Sequence, residues 1–132
     1  MNRQEAEQFR QQIQQDRLRM EAKLAALIEP IKLYSPGEGD GGPCAVCGIE
    51  EPFGNVTEDG KPICFGCIDQ WLENNHGDAF CKFAGAIATV READLALDYC
   101  RDPDSAIHRR IAGEVHERLA ELRAGPGDRG RA

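Results

Sequence analysis

The sequence has no long hydrophobic run. Its longest apolar stretch, Phe83 to Val90, is far short of the roughly 20 residues that span a bilayer, so no membrane segment is expected. The opening MNRQEAEQFRQQ lacks an apolar h-region, and no secretory signal is expected either, which points to a cytoplasmic protein. There is no glycine-rich phosphate loop, no Ser/His/Asp set at a recognisable spacing and no pair of catalytic carboxylates. An enzyme is therefore not expected, and no catalytic or organic-cofactor residues are assigned. Basic residues are scarce where most of the cysteines lie. Residues 44–83 hold two Lys/Arg against seven Asp/Glu, whereas residues 1–43 hold six against seven and residues 84–132 eight against nine. Displacing counterions from phosphates needs clustered cations, so tight non-specific nucleic-acid binding is not expected. With 41% hydrophobic and 30% charged residues in 132, the chain still suits a folded domain or two very small modules.

What the sequence has in excess is cysteine, six in all. Without an export signal the thiols stay reduced, and the spacing favours metal over disulfides. Cys44-x2-Cys47 is followed after sixteen residues by Cys64-x2-Cys67. Two CxxC pairs at that separation are a strong metal signature. Four thiolates fill a tetrahedron, so the expected ion is one structural zinc per chain on Cys44, Cys47, Cys64 and Cys67. Iron in a rubredoxin-like site and metal-free thiols are the other readings of the same spacing. The 34 residues from Cys44 to Gly77 carry nine sizeable apolar side chains, among them Phe53 and Trp71. That is too little burial to offset the ordering of the segment, and a metal supplies the missing staple.

Residues 1–34 are expected to hold one long helix, from Asn2 to about Glu29 and ended by Pro30, rich in good helix formers. Ala6, Phe9, Ile13, Met20, Leu24, Leu27 and Ile31 share a narrow stripe, interrupted by Arg17. Residues 35–43, SPGEGDGGP, read as a flexible linker that leaves the helix and the cysteine module as separate bodies. The exposed stripe then predicts self-association or capture of another protein. Within residues 44–77, Gly48 eases the first cysteine turn, Glu58-Asp59-Gly60 predicts a hairpin between Phe53–Thr57 and Lys61–Cys64, and a helix follows the second pair. Ile68, Trp71 and Leu72 give that helix its apolar face, with Trp71 as core anchor, and Asn75-His76-Gly77 as its stop.

Residues 78–123 read as helical. Phe80–Ala88 fits a strand or a packing run. Thr89-Val-Arg-Glu92 is a capping box for a helix to about Arg101, and Asp102-Pro103-Asp104 starts another that carries Ile107, Ile111, Val115, Leu119 and Leu122 to about Arg123. Residues 124–132 read as a disordered tail. Cys81 and Cys100 are expected to be small core thiols. A second metal site joining Cys81 with His76 and Cys100 with His108 matches no ligand spacing, and His108 and His116 flank the stripe of the last helix as surface or boundary residues.

Knuckle, hairpin and helix together resemble a treble-clef zinc finger, through CAVCG at 44–48, EDG at 58–60 and KPICFGC at 61–67, over about 34 of the 132 residues. The expected fold class is thus small α+β, a treble-clef finger flanked by α-helices. Within that class the segment resembles the zinc-binding domain of the ClpX unfoldase and, more loosely, the finger of the DksA/TraR regulators. Both resemblances imply Cys44, Cys47, Cys64 and Cys67 as ligands. ClpX fingers recognise adaptors and dimerise, but no ATPase follows in this sequence. DksA/TraR proteins place a helical hairpin before the finger, where this chain has one helix and a linker. Pro43-Cys44-Ala-Val-Cys47 also imitates half of a zinc deaminase motif, but that chemistry needs an upstream HxE, and all three histidines lie downstream. Thr89–Leu97 followed by Ser105–Gly113 resembles a helix-turn-helix of the excisionase/MerR kind, with Arg109 and Arg110 as candidate phosphate contacts. These readings lead to an adaptor or regulator working through protein contacts. The alternative is a transcriptional regulator that binds DNA through residues 89–123, or RNA polymerase in the DksA/TraR manner.

Overall fold

The computed structural model describes residues 2–37, 41–50 and 54–129, and of residues 126–129 the backbone alone. Four helices and one three-stranded antiparallel sheet follow one another as α1 (Arg3–Ile28), β1 (Leu33–Tyr34), β2 (Gly54–Thr57), β3 (Pro62–Cys64), α2 (Ile68–Gly85), α3 (Val90–Tyr99) and α4 (Ala106–Arg129). The fold class is small α+β. No helix among the described residues is long and apolar enough to cross a membrane.

Helix α1 starts with a capping box. The Asn2 side chain accepts from the Glu5 amide at 2.8 Å and the Glu5 carboxylate reaches back to the Asn2 amide, which satisfies two of the helix's orphan donors. Its buried residues are Met20 and Leu24, in the C-terminal half. They join one core with Ile63 of β3, Ile68, Leu72 and Phe80 of α2, Ile87 in the connection that follows, Ala93 and Ala96 of α3, and Ile111, Val115 and Leu119 of α4. Helix α4 packs on both α2 and α3, and α3 packs on α1. The ion pair Arg91–Asp16 at 2.9 Å closes the α3–α1 contact at its rim.

The helix and the cysteine segment are one body, which corrects the expectation of two. Leu33 and Tyr34 pair with Thr57 and Val56, so the chain leaving α1 becomes the edge strand of the cysteine segment's own sheet, in the order β1-β2-β3. Ile31 between them is buried in the common core. Of the proline- and glycine-rich stretch 35–43, residues 38–40 lie outside the described residues, as does Phe53.

Three helix boundaries differ from those read off the sequence. Helix α2 does not stop at Asn75-His76-Gly77 but runs to Gly85, absorbing much of the Phe80–Ala88 stretch. Gly77 sits buried inside it, because burying Phe80 and Ala84 one and two turns further on outweighs the local cost of a glycine in a helix. Helix α4 starts after Ser105 rather than at Asp102-Pro103. The Ser105 hydroxyl accepts from the His108 amide at 3.2 Å, while Asp102 closes a turn of its own by accepting from the Asp104 amide at 3.0 Å. At the other end the regular helix breaks at Gly125 (φ 75°, ψ 162°), ahead of Pro126, and a further turn reaches Arg129 where a disordered tail was expected. Residues 130–132 lie outside the described residues.

Candidate metal centre

The two CxxC turns hang from the β2–β3 hairpin. The hairpin turn is closed by Thr57, whose amide donates to the Lys61 carbonyl at 3.0 Å and whose hydroxyl accepts from the Lys61 amide at 3.1 Å and binds the Asp59 carboxylate. That contact with Thr57 holds the Asp59 carboxyl below its ordinary range. Gly60 takes φ 80°, a left-handed conformation that a side chain would strain. Where β2 begins, Gly54 lies against the Ile63 carbonyl so closely that a Cβ would collide with it.

The first turn folds back on itself. The Cys44 amide donates to the Ile49 carbonyl at 2.8 Å and the Gly48 amide to the Cys44 carbonyl at 2.9 Å, with Gly48 at φ 79°. The Ala45 amide donates to the Pro62 carbonyl at 2.9 Å, which ties this turn to β3. Strand β3 ends in Cys64, and Cys67 caps the start of α2 after donating its amide to the Cys64 carbonyl at 2.9 Å.

The result gathers all four sulfurs, each within 4.8 Å of the others, and among the described residues this is the one such group of three or more. The Sγ atoms of Cys47 and Cys64 are 3.7 Å apart. A tetrahedron with metal–sulfur bonds of about 2.3 Å has edges of about 3.8 Å, so the spacing fits one ion, and it is far too long for a disulfide. All six cysteines are free thiols. The Cys44 sulfur is buried and accepts from the amides of Val46 and Cys64, both at 3.4 Å. Burial opposes its charge, but donors on Cys47, Cys64 and Val46 outweigh burial and bring Cys44 down to about 6. Crowding acts the other way on Cys67. Contacts with the sulfurs of Cys64 and Cys47, and then burial, push it up to about 12. Cys64 is also raised, although its contact with Cys67 works to lower it. Four thiols this close cannot all ionise alone, and a divalent ion supplies the charge that lets them. The donor set is therefore positioned to bind a metal ion, with all four positions filled by protein.

The remaining thiols and histidines stay outside this group. Cys100 is buried, and burial pushes its thiol up to about 11. Cys81 is exposed on α2, 3.9 Å from a Glu114 carboxylate oxygen, and so departs from the expected core role. His76 lies against Trp71 (ring centroids 5.4 Å apart), and partial burial lowers its pKa. His108 is half-buried near Tyr99, and His116 is exposed. Trp71 is itself half-buried. It packs against the core from its edge and lines a cleft of about 390 Å³ with His76, Lys32 and Glu58, whereas Ile63, Leu72 and Phe80 are among the fully buried side chains.

The two arginines read as phosphate contacts are engaged within the chain. Arg109 donates to the Pro103 carbonyl at 2.8 Å. Arg110 pairs with Glu73 and with Glu114 (3.0 Å) and lies over the Phe80 ring, 5.2 Å from its centroid. Burial works to lower the Arg110 pKa, and the contacts with Glu73 and Glu114 outweigh it, raising the pKa. This α2–α4 clasp pairs residues 37 positions apart and has no signature in the sequence.

No family model matches the chain, and no curated protein and no solved structure matches it.

Proposed function

We propose that the four cysteines hold one structural zinc in a finger of treble-clef type, and that the protein acts as an adaptor or regulator through protein contacts. The observation that carries the first half is the closed set of four sulfurs at tetrahedral spacing, which leaves an ion no open position for substrate. The order of turn, hairpin and helix supports the finger reading. Within it, zinc does for the hairpin and the turns what a larger core does elsewhere.

Two features support the second half. Large apolar side chains stand exposed on the cysteine turns (Val46, Ile49 and Phe65) and on α1 (Phe9 and Leu18), where monomers usually carry only scattered ones. Arg109 and Arg110, which DNA binding through residues 89–123 would use, are drawn into the chain's own contacts. The test has two arms. Elemental analysis of protein prepared without chelator reads the metal. Capture from the host lysate, compared between the native chain and variants that alter only these exposed side chains, reads the contacts. A captured protein lost in the surface variants supports the reading, and capture indifferent to them counts against it.

A further inference from the structure

The face of α1 that carries Met20 and Leu24 into the core does not end where α3 ends. Counted back in helical steps it continues through Ile13, Phe9 and Ala6, and Phe9 is 52% exposed. Helix α1 has 26 residues and is about 39 Å long, whereas its neighbour α3 has 10 and is about 15 Å long. Asp16, paired with Arg91, is the most N-terminal residue of α1 that an ion pair ties to another element among the described residues. A second uncovered apolar surface lies on the cysteine turns, where Val46, Ile49 and Phe65 are exposed, Phe65 by 66%.

Residues 3–17 carry three arginines and three acids (Glu5, Glu7 and Asp16), and the arginines form a row of their own, whereas the finger surface is bordered by acids. Arg3, Arg10 and Arg17, seven residues apart, form a row along the α1 stripe. All three are exposed, and none makes an ion pair among the described residues. The finger surface is bordered by exposed Glu50 and Asp69, within the segment that holds two Lys/Arg against seven Asp/Glu. Pairing α1 antiparallel with its own copy would set one arginine row against the other, and pairing finger with finger would set acid against acid.

The C-terminal end of α1 leads into β1, in the same sheet as the hairpin that carries the cysteine turns, and Phe9 lies about 28 Å back along the helix from that end. The helix overhang thus lies far along α1 from the end that joins the sheet. A two-fold axis with the copies antiparallel brings each overhang to the other copy's finger and makes both contacts at once.

We propose that the chain forms a two-fold dimer in which the Ala6–Phe9–Ile13 stripe of each copy seats on the Val46–Ile49–Phe65 surface of the other, with the arginine row against Glu50 and Asp69. This rests on the reading of the helix overhang and finger as contact surfaces, and it identifies what they contact. Sedimentation of the full zinc-loaded chain tests it, with Phe9→Ser, Phe65→Ser and Ile49→Ser as variants and metal content and helix signal as checks of folding. The native chain is expected to have twice the monomer mass, with the dimer weakened by salt. Each variant is expected to be monomeric. An equimolar mixture of Phe9→Ser and Phe65→Ser should recover dimers, because the mixed pair keeps one intact contact. If Phe65→Ser loses metal, Ile49→Ser carries the finger side of the test. A native chain monomeric at every concentration overturns the proposal, as does a mixture that stays monomeric. Loss of the dimer in Phe9→Ser alone would mean helix pairing and in the finger variants alone finger pairing. Either overturns this arrangement while leaving the protein-contact reading in place.

Discussion

The amide of Ala45 donates to the carbonyl of Pro62 at 2.9 Å. This one bond crosses from the first cysteine turn to the strand that delivers Cys64. It couples the halves of the metal centre through backbone, so the turn and the hairpin form or fail together. Beyond Cys67 the situation changes, because α2 is held from its first residue to its last turn by the core it shares with α1, α3 and α4.

Metal removal should therefore unfold part of the molecule. Chelation, or Cys64→Ser, is expected to expose the amides of residues 44–64 to rapid hydrogen exchange while α2, α3 and α4 keep most of their protection. Exchange measured by mass spectrometry separates this from global collapse. Complete loss of helix signal on chelation would show that the helices cannot stand without the metal.

The docking of α1 is tested by Leu24→Ala. Leu24 has no exposed surface, and truncating it should cost about 2–5 kcal/mol in denaturant unfolding. A helix tethered only by a loose linker would lose almost nothing. Phe9→Ser on the same stripe should change the stability of the monomer by less than about 0.5 kcal/mol, because its site is exposed.

That docking was the least legible part of the fold. The stripe Met20-Leu24-Leu27 announces a buried face but not what covers it, and the two-residue strand Leu33–Tyr34 has no local signature, since its partners lie more than twenty positions away. Signals that act within a few residues read true. Thr89 caps α3 by accepting from the Glu92 amide at 3.1 Å, and Glu58-Asp59-Gly60 makes the hairpin turn with Gly60 left-handed. Gly77 misled because its local preference to end a helix competes with distant burial of Phe80, which no nearby residue reveals. Asp102-Pro103 misled because a proline that can open a helix can equally open the turn before one. The gathering of the four cysteines was legible, since the spacing of two CxxC turns brings their sulfurs around one point.

Gly54→Ala should damage the centre without touching a ligand. The added Cβ meets the Ile63 carbonyl, so β2 must separate from β3. The variant is expected to lose more than the roughly 1 kcal/mol of an average substitution and to release metal to a chelator faster than the native chain. Equal release rates would mean that the hairpin does not support the site.

Cys100 gives the fold an alkaline limit. Burial raises its pKa from the ordinary 9.0 to about 11, so folding opposes its ionisation. The associated stability is fully present below pH 9 and is lost as pH rises through about 11. Cys100→Ala is expected to flatten the decline in stability across that window, at a cost of about 1 kcal/mol near neutrality. A decline of unchanged slope in the variant would assign it to other groups.

The metal content of the purified chain bears most directly on the zinc reading. Elemental analysis of protein prepared without chelator should give one zinc per chain, largely lost in Cys64→Ser and retained in Cys81→Ser and Cys100→Ser. A folded native chain that carries no metal, or carries iron in place of zinc, would contradict it.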